Sequence, residues 1–297
     1  MKSILLHLRI PFSILLMPVF FFALAISPNF TEIGIIWVFL ILHLMVYPAS
    51  NAFNSYFDKD EKSIGLLKNP PKVNLGLYWA ATILDLAALY LSYAKIGITF
   101  SLLVLGYILI SRAYSHPWIR LKKYPWYGWI AAGLFQGFYT FLTAYIGING
   151  YSLEMALRPQ ILMPALLCSI ILWGSFPITQ VYQHDEDKKR GDITISQLLG
   201  IKGTFRFAAG MFLIADLGFI FYFNHYHASS YAIAFQFFLA PIILFFMLWY
   251  LMVRKHPKHA SYGWTMWMNF ISAFCLNAFF LWFWFSRTNI AQIFQMT

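Results

Sequence analysis

Nine apolar stretches, each long enough to cross a bilayer, run along this chain at 10–27, 34–56, 75–94, 97–115, 126–148, 161–182, 205–224, 231–252 and 264–286. A helix needs about 20 apolar residues to span the hydrocarbon core. In lipid each backbone N–H and C=O must be satisfied without water, which leaves helices or closed barrels. The alternating pattern of barrel strands is missing. The expectation is therefore an all-α integral membrane protein, a bundle of about nine transmembrane helices forming a single polytopic membrane domain over 1–297. Only 11% of the residues are charged, against about 25% in soluble domains, so a soluble fold is set aside.

The first run has two readings. Lys2 and Arg9 precede it and Ala23-Leu24-Ala25 closes it, as in a cleavable signal. Its apolar length, Ile10 to Ile26, suits a retained first helix better. Cys168 and Cys275 lie inside apolar runs and read as packing residues, with no metal or disulfide framework.

The chain carries a formal charge of +10, which could suggest nucleic acid. The distribution argues for a membrane instead. With nine spans, only Lys95, Arg158 and Arg287 fall on one side, and the other 18 of the 21 Lys and Arg fall opposite. The positive-inside rule puts that basic side, with the N-terminus, in the cytoplasm. The expected location is the cell (inner) membrane, with membrane lipids as neighbours and no nucleic-acid partner.

The acids are gathered too. Seven of 11 sit in two loops on the basic side: Asp58, Asp60 and Glu61, then Asp185, Glu186, Asp187 and Asp192. Asn54 and Asp58 are spaced i, i+4 and share a helix face, and Gln183 and Asp187 repeat that spacing. Two amide–carboxylate pairs from the two halves of the chain could face each other across a bundle. Oxygen ligands of this kind suit Mg²⁺, which takes a few carboxylates together with waters and phosphates. A third loop on the same side, Tyr114-Ser115-His116-Pro117 followed by Arg120, Lys122 and Lys123, offers cations to an anionic group. The motif-bearing loops would form a cytoplasmic cap. Asp85 and Asp216 lie inside runs, where an acid marks either an ion pathway or a buried pair.

These three loops together resemble the UbiA superfamily of intramembrane prenyltransferases. The first motif reads Asn54-Ser55-Tyr56-Phe57-Asp58-Lys59-Asp60-Glu61-Lys62. The second reads Gln183-His184-Asp185-Glu186-Asp187 and continues through Gly191 to Thr194 and Leu198-Leu199-Gly200. The Tyr114-Ser115…Leu121-Lys122-Lys123 element matches a third. The chain departs from the pattern twice: Lys62 and Gln183 stand where the family has aspartates. The resemblance implies Mg²⁺-dependent transfer of a prenyl group from an allylic diphosphate donor to a lipophilic or aromatic acceptor. It implies Asn54, Asp58, Asp187 and Asp185 as metal ligands, with Gln183 beside them. Arg120, Lys122, Lys188, Arg190 and Lys62 are then candidates to contact diphosphate, and Tyr114, Ser115 and Tyr182 to line the reacting centre.

Two other readings stay open. One is a family member that binds prenyl lipids without catalysis. The other is a transporter using the acidic loops as a cation site. A transporter would place its polar residues at the bilayer midplane in broken helices, whereas these gather at one surface.

Overall fold

The computed structural model describes residues 2–288. Within them nine helices are long and apolar enough to cross a membrane: α1 (Lys2–Ile26), α2 (Glu32–Asp58), α3 (Leu75–Lys95), α4 (Ile98–Ser115), α5 (Pro125–Asn149), α6 (Pro159–Gln180), α8 (Ile195–Tyr226), α9 (Ser229–Lys255) and α10 (Tyr262–Thr288). A short helix, α7 (His184–Arg190), stands between α6 and α8. Every expected span is present, and two begin earlier than hydropathy suggests. Helix α1 reaches back to Lys2 across a break at Arg9, rather than starting near 10, and α8 to Ile195 across a kink at Gly200 (φ 65°, ψ 167°), rather than starting at 205. Helix α8 is opened by a capping box, in which Thr194 Oγ1 accepts from the Gln197 amide and the Gln197 side chain accepts from the Thr194 amide.

Several helices are interrupted. In α1, Arg9 adopts a left-handed conformation (φ 46°, ψ 44°), and Pro11 then leads a tight 3₁₀ stretch over Ile10–Leu16. Wide π turns occupy Leu40–Val46 in α2 and Leu134–Tyr139 in α5. Such turns often mark functional regions because they redirect a face of the helix.

Helix α1 packs on α10 and α5, α6 on α8 and α5, α2 on α3, and α9 between α8 and α10. The first run is thus an integral part of the core, with Phe22 and Ala23 fully buried. Phe22 stacks on Phe280 with centroids 4.3 Å apart, and Phe219, Phe223, Phe235, Phe279 and Phe283 close around them. By helix direction this aromatic knot lies away from the motif loops and seals that end of the bundle. At Gly137 a Cβ would sit 2.5 Å from the Ser169 backbone. Helices α5 and α6 approach too closely there for any side chain.

The intramembrane acids and His43 each have a partner. Asp85 accepts from Arg112 Nε at 2.9 Å, and Arg112 also lies 3.7 Å over the Phe53 ring. Asp216 accepts from Gln236 at 2.7 Å. His43 bonds the Ser13 carbonyl at 3.1 Å. The two cysteines are free and buried.

Candidate active site

Helix α2 ends at Asp58. Asn54 and Asp58, one turn apart, face the same neighbour, as their spacing requires. Lys122 Nζ donates to Asn54 Oδ1 at 2.7 Å and to Asp58 Oδ1. Ser115 at the end of α4 donates to the same Asn54 oxygen at 2.8 Å. The loop after α4 therefore inserts its lysine between the amide and the carboxylate of α2. Arg120 enters that loop in a left-handed conformation, φ 47°. Non-glycine residues held there cost free energy and cluster at functional sites.

The first acidic loop differs from a continued helix. Lys59 is left-handed, φ 51°, so the chain turns sharply after Asp58. That turn brings Asp60 inward: its side chain is 6% exposed and pairs with Arg190. Four residues on from Asp58, Lys62 instead faces solvent, 3.9 Å from an outward-facing Asp185.

On the opposite wall, Gln183 is the N-cap of α7, and the Asp187 amide bonds the Gln183 carbonyl at 3.0 Å. Asp187 is buried and accepts from Arg190 at 2.6 Å. Gly191 caps α7 with φ 73°, a left-handed position that suits glycine. The Asp192 amide then bonds back to the Asp187 carbonyl at 2.9 Å. The turn presents Asp192 to Arg120, which grips it with two bonds of 2.9 and 3.0 Å. Arg190 Nε lies 3.5 Å from the same carboxylate.

These elements enclose a cavity of about 230 Å³. Asn54, Asp58, Tyr114, Ser115, Lys122, Tyr182, Gln183, Asp187 and Arg190 line it as the sequence suggests. Three expected members do not. Asp185, 87% exposed, points away because it lies on the outer face of α7. Lys62 is also exposed, and it borders a neighbouring cleft with Tyr182, Glu186 and Tyr262. Lys188 is exposed on α7. A fourth, Arg120, stands behind the wall with its guanidinium committed to Asp192. The cavity also holds three charged groups outside the expected ligand set: Asp60 and Asp192, known from the sequence only as members of the acidic loops, and Arg9. Arg9 projects from the break in α1, and its Nε is buried without a partner. The signal for it was Pro11, two residues on, which marks a helix break beside a charge.

Electrostatics follow from this enclosure. Burial lowers the Lys122 ammonium, with Asp58 opposing that effect. Burial pushes the Asp187 carboxyl up to about 6, partly offset by Arg190. Burial also works against the Arg190 charge, but Asp58, Asp60 and Asp187 outweigh it and hold the guanidinium firmly protonated.

Among the described residues no three His, Cys, Asp or Glu side chains form a closed metal cage. A cation here would have to share its shell with waters and phosphate oxygens. Asp187 Oδ2 is buried with no hydrogen-bond partner. An orphaned carboxylate oxygen on a cavity wall fits a hard cation shared with waters and phosphate oxygens.

The model of the UbiA prenyltransferase family matches residues 15–271. Comparison with curated proteins finds no match. A UbiA homolog from Archaeoglobus fulgidus bound to GPP and Mg²⁺ superposes with a TM-score of 0.66 at 17% identity, covering 95% of this chain and 99% of that one. The same homolog bound to DMAPP and Mg²⁺ gives 0.68 at 17% identity, covering 95% and 98%. The apo UbiA homolog from Aeropyrum pernix K1 gives 0.68 at 20% identity, covering 92% and 98%. At these identities the structural likeness is one of fold.

Proposed function

The chain belongs to the UbiA prenyltransferase family, and from that premise we propose that it transfers a prenyl group from an allylic diphosphate to a lipophilic or aromatic acceptor. The observation that carries this reading is the cavity itself. Carboxylates and cations from four separate segments meet at one end of it, and its wall includes Tyr107, Tyr114, Phe135, Phe176 and Tyr182.

The allylic C–O bond breaks with its electron pair leaving on diphosphate. The acceptor's nucleophilic atom then bonds the allylic carbon and loses a proton. Lys122 and Arg9 line the cavity and would receive the departing oxygens. Preorganised charge of this kind is worth most where charge develops. Mg²⁺, when bound, supplies further charge to those oxygens, and Asp58 and Asp187 would hold it with Asn54 beside them. The ring faces of the wall stabilise an allylic cation by about 0.5–2 kcal/mol each, and the packed far end keeps out water. Homologs carrying GPP or DMAPP with Mg²⁺ support the same assignment.

The basic face, with the motif loops, is placed at the cytoplasm on charge asymmetry, and the chain is read as one polytopic domain. Purified protein incubated with labelled geranyl, farnesyl or geranylgeranyl diphosphate and Mg²⁺ should release diphosphate. Asp58→Ala and Asp187→Ala should each abolish release while the protein stays folded in the membrane. Near-normal turnover in both variants would sink the assignment, and tight binding without release would point to a non-catalytic lipid binder.

A further inference from the structure

Three carboxylates of the cavity converge on one guanidinium. Arg190 Nη1 bonds Asp60, Nη2 bonds Asp187 Oδ1 at 2.6 Å, and Nε lies 3.5 Å from Asp192. Asp60 comes from the first acidic loop and the other two from the second. Like charges drawn together from two halves of a chain repel unless a cation lies between them. Here that cation is covalent. Arg190 occupies the place that an ion shared by Asp60 and Asp187 would need, and its side chain is only 19% exposed. Asp192 is unavailable to metal as well, because Arg120 grips both of its oxygens.

What remains is limited. Lys122 and Arg190 take Oδ1 of Asp58, Asp60 and Asp187. The Oδ2 of Asp187 has no partner, although its side chain is 8% exposed. Among the buried carboxylate oxygens of the site it is the one left without a hydrogen bond, and so free for a cation.

We propose that Arg190 is a resident counter-cation that joins Asp60 to Asp187 in place of a second divalent ion, so that the site takes a single Mg²⁺ with its diphosphate. The inference rests on the prenyl-diphosphate reading above and deepens it. Arg190 then acts on the carboxylates and not on the substrate. Both of its terminal nitrogens are engaged by carboxylates, whereas Lys122, with one N–H beyond its bonds to Asn54 and Asp58, and Arg9, whose Nε has no partner, remain to meet phosphate oxygens. A second divalent ion would have to expel Arg190 from Asp60 and Asp187 and leave a buried guanidinium without partners.

The test counts ions rather than turnover. Full-length protein in nanodiscs is saturated with farnesyl S-thiolodiphosphate, which ionises slowly, and titrated with Mn²⁺ followed by electron paramagnetic resonance. One bound Mn²⁺ per chain, with analogue binding first order in metal, is the expected result. In Arg190→Gln, analogue binding should require a second ion and turn steeper in metal, while Arg190→Lys should keep the single-ion behaviour. Two Mn²⁺ per wild-type chain would overturn the proposal and leave the prenyl-diphosphate reading intact. Failure of the analogue to bind at any metal concentration would overturn that reading itself. The wild-type count decides the matter even if Arg190→Gln does not fold.

Discussion

Lys122 holds the two polar groups of α2 in register, because one ammonium bonds both Asn54 and Asp58. With Lys122 removed, Asp58 keeps only Arg120, at 3.9 Å. A hydrogen bond to a charged group is worth about 1.5–3 kcal/mol, so Lys122→Ala should weaken binding of a prenyl diphosphate analogue by about 10- to 100-fold. Lys122→Arg should recover little of it, since a planar fork does not fit a slot built for a point charge between an amide and a carboxylate. Isothermal titration against the thiolodiphosphate would show this, and an affinity within about twofold of wild type in the alanine variant would refute the role. Residues at helical spacing were readable in advance: Asn54 with Asp58 needs only the period of a helix. Asp60 was not. On a continued helix it would point away from Asp58, and only the left-handed turn at Lys59 brings it in. Nothing in a lysine announces that conformation.

At the scale of elements, two glycines do different work and should fail differently. Gly137 lets α5 and α6 touch, and a Cβ there would meet the Ser169 backbone at 2.5 Å. Backbone cannot yield as a side-chain tip can, so Gly137→Ala should lower the thermal midpoint by several degrees, the shift expected for about 1–3 kcal/mol of overpacking. Gly191 has open space around its Cβ position, and its constraint is the left-handed backbone at the end of α7. Gly191→Ala should cost about 1–2 kcal/mol locally, loosening Arg190 and Asp192. Its melting midpoint should stay near wild type while diphosphate affinity falls. Fluorescence-detected chromatography after heating, run beside the binding titration, separates the two effects. Equal melting shifts in both variants would show that α7 is part of the bundle's cooperative core. Helix existence was readable from apolar length, yet the short α7 was hidden. It is polar throughout and joined to α6 by a turn, and hydropathy is silent about helices that never enter lipid. The Asp85–Arg112 pair was half readable, since an intramembrane acid demands a partner but the sequence does not say which.

For the whole molecule the decisive property is sidedness. Nine spans among the described residues put the loops between them on two faces. The structure joins the loops after α2, α4 and α6 at one of them: Lys122 reaches Asn54, Arg190 reaches Asp60, and the Ile193 amide bonds the Lys123 carbonyl at 3.2 Å. Position 95, between α3 and α4, must then lie on the opposite face. The charge count reads the basic face as cytoplasmic, and moving a loop with several Lys or Arg to the other side opposes the bias that sets orientation. A cysteine at 188 is exposed on the motif face, and one at 95 is exposed on the other. The native Cys168 and Cys275 are buried in the bundle, so they should give little background. In intact cells a membrane-impermeant maleimide should label Lys95→Cys and spare Lys188→Cys. After permeabilisation both should react. Labelling of position 188 in intact cells would invert the orientation and put the diphosphate site on the face away from the cytoplasm. Equal labelling at both positions would contradict an odd number of crossings between the two sites.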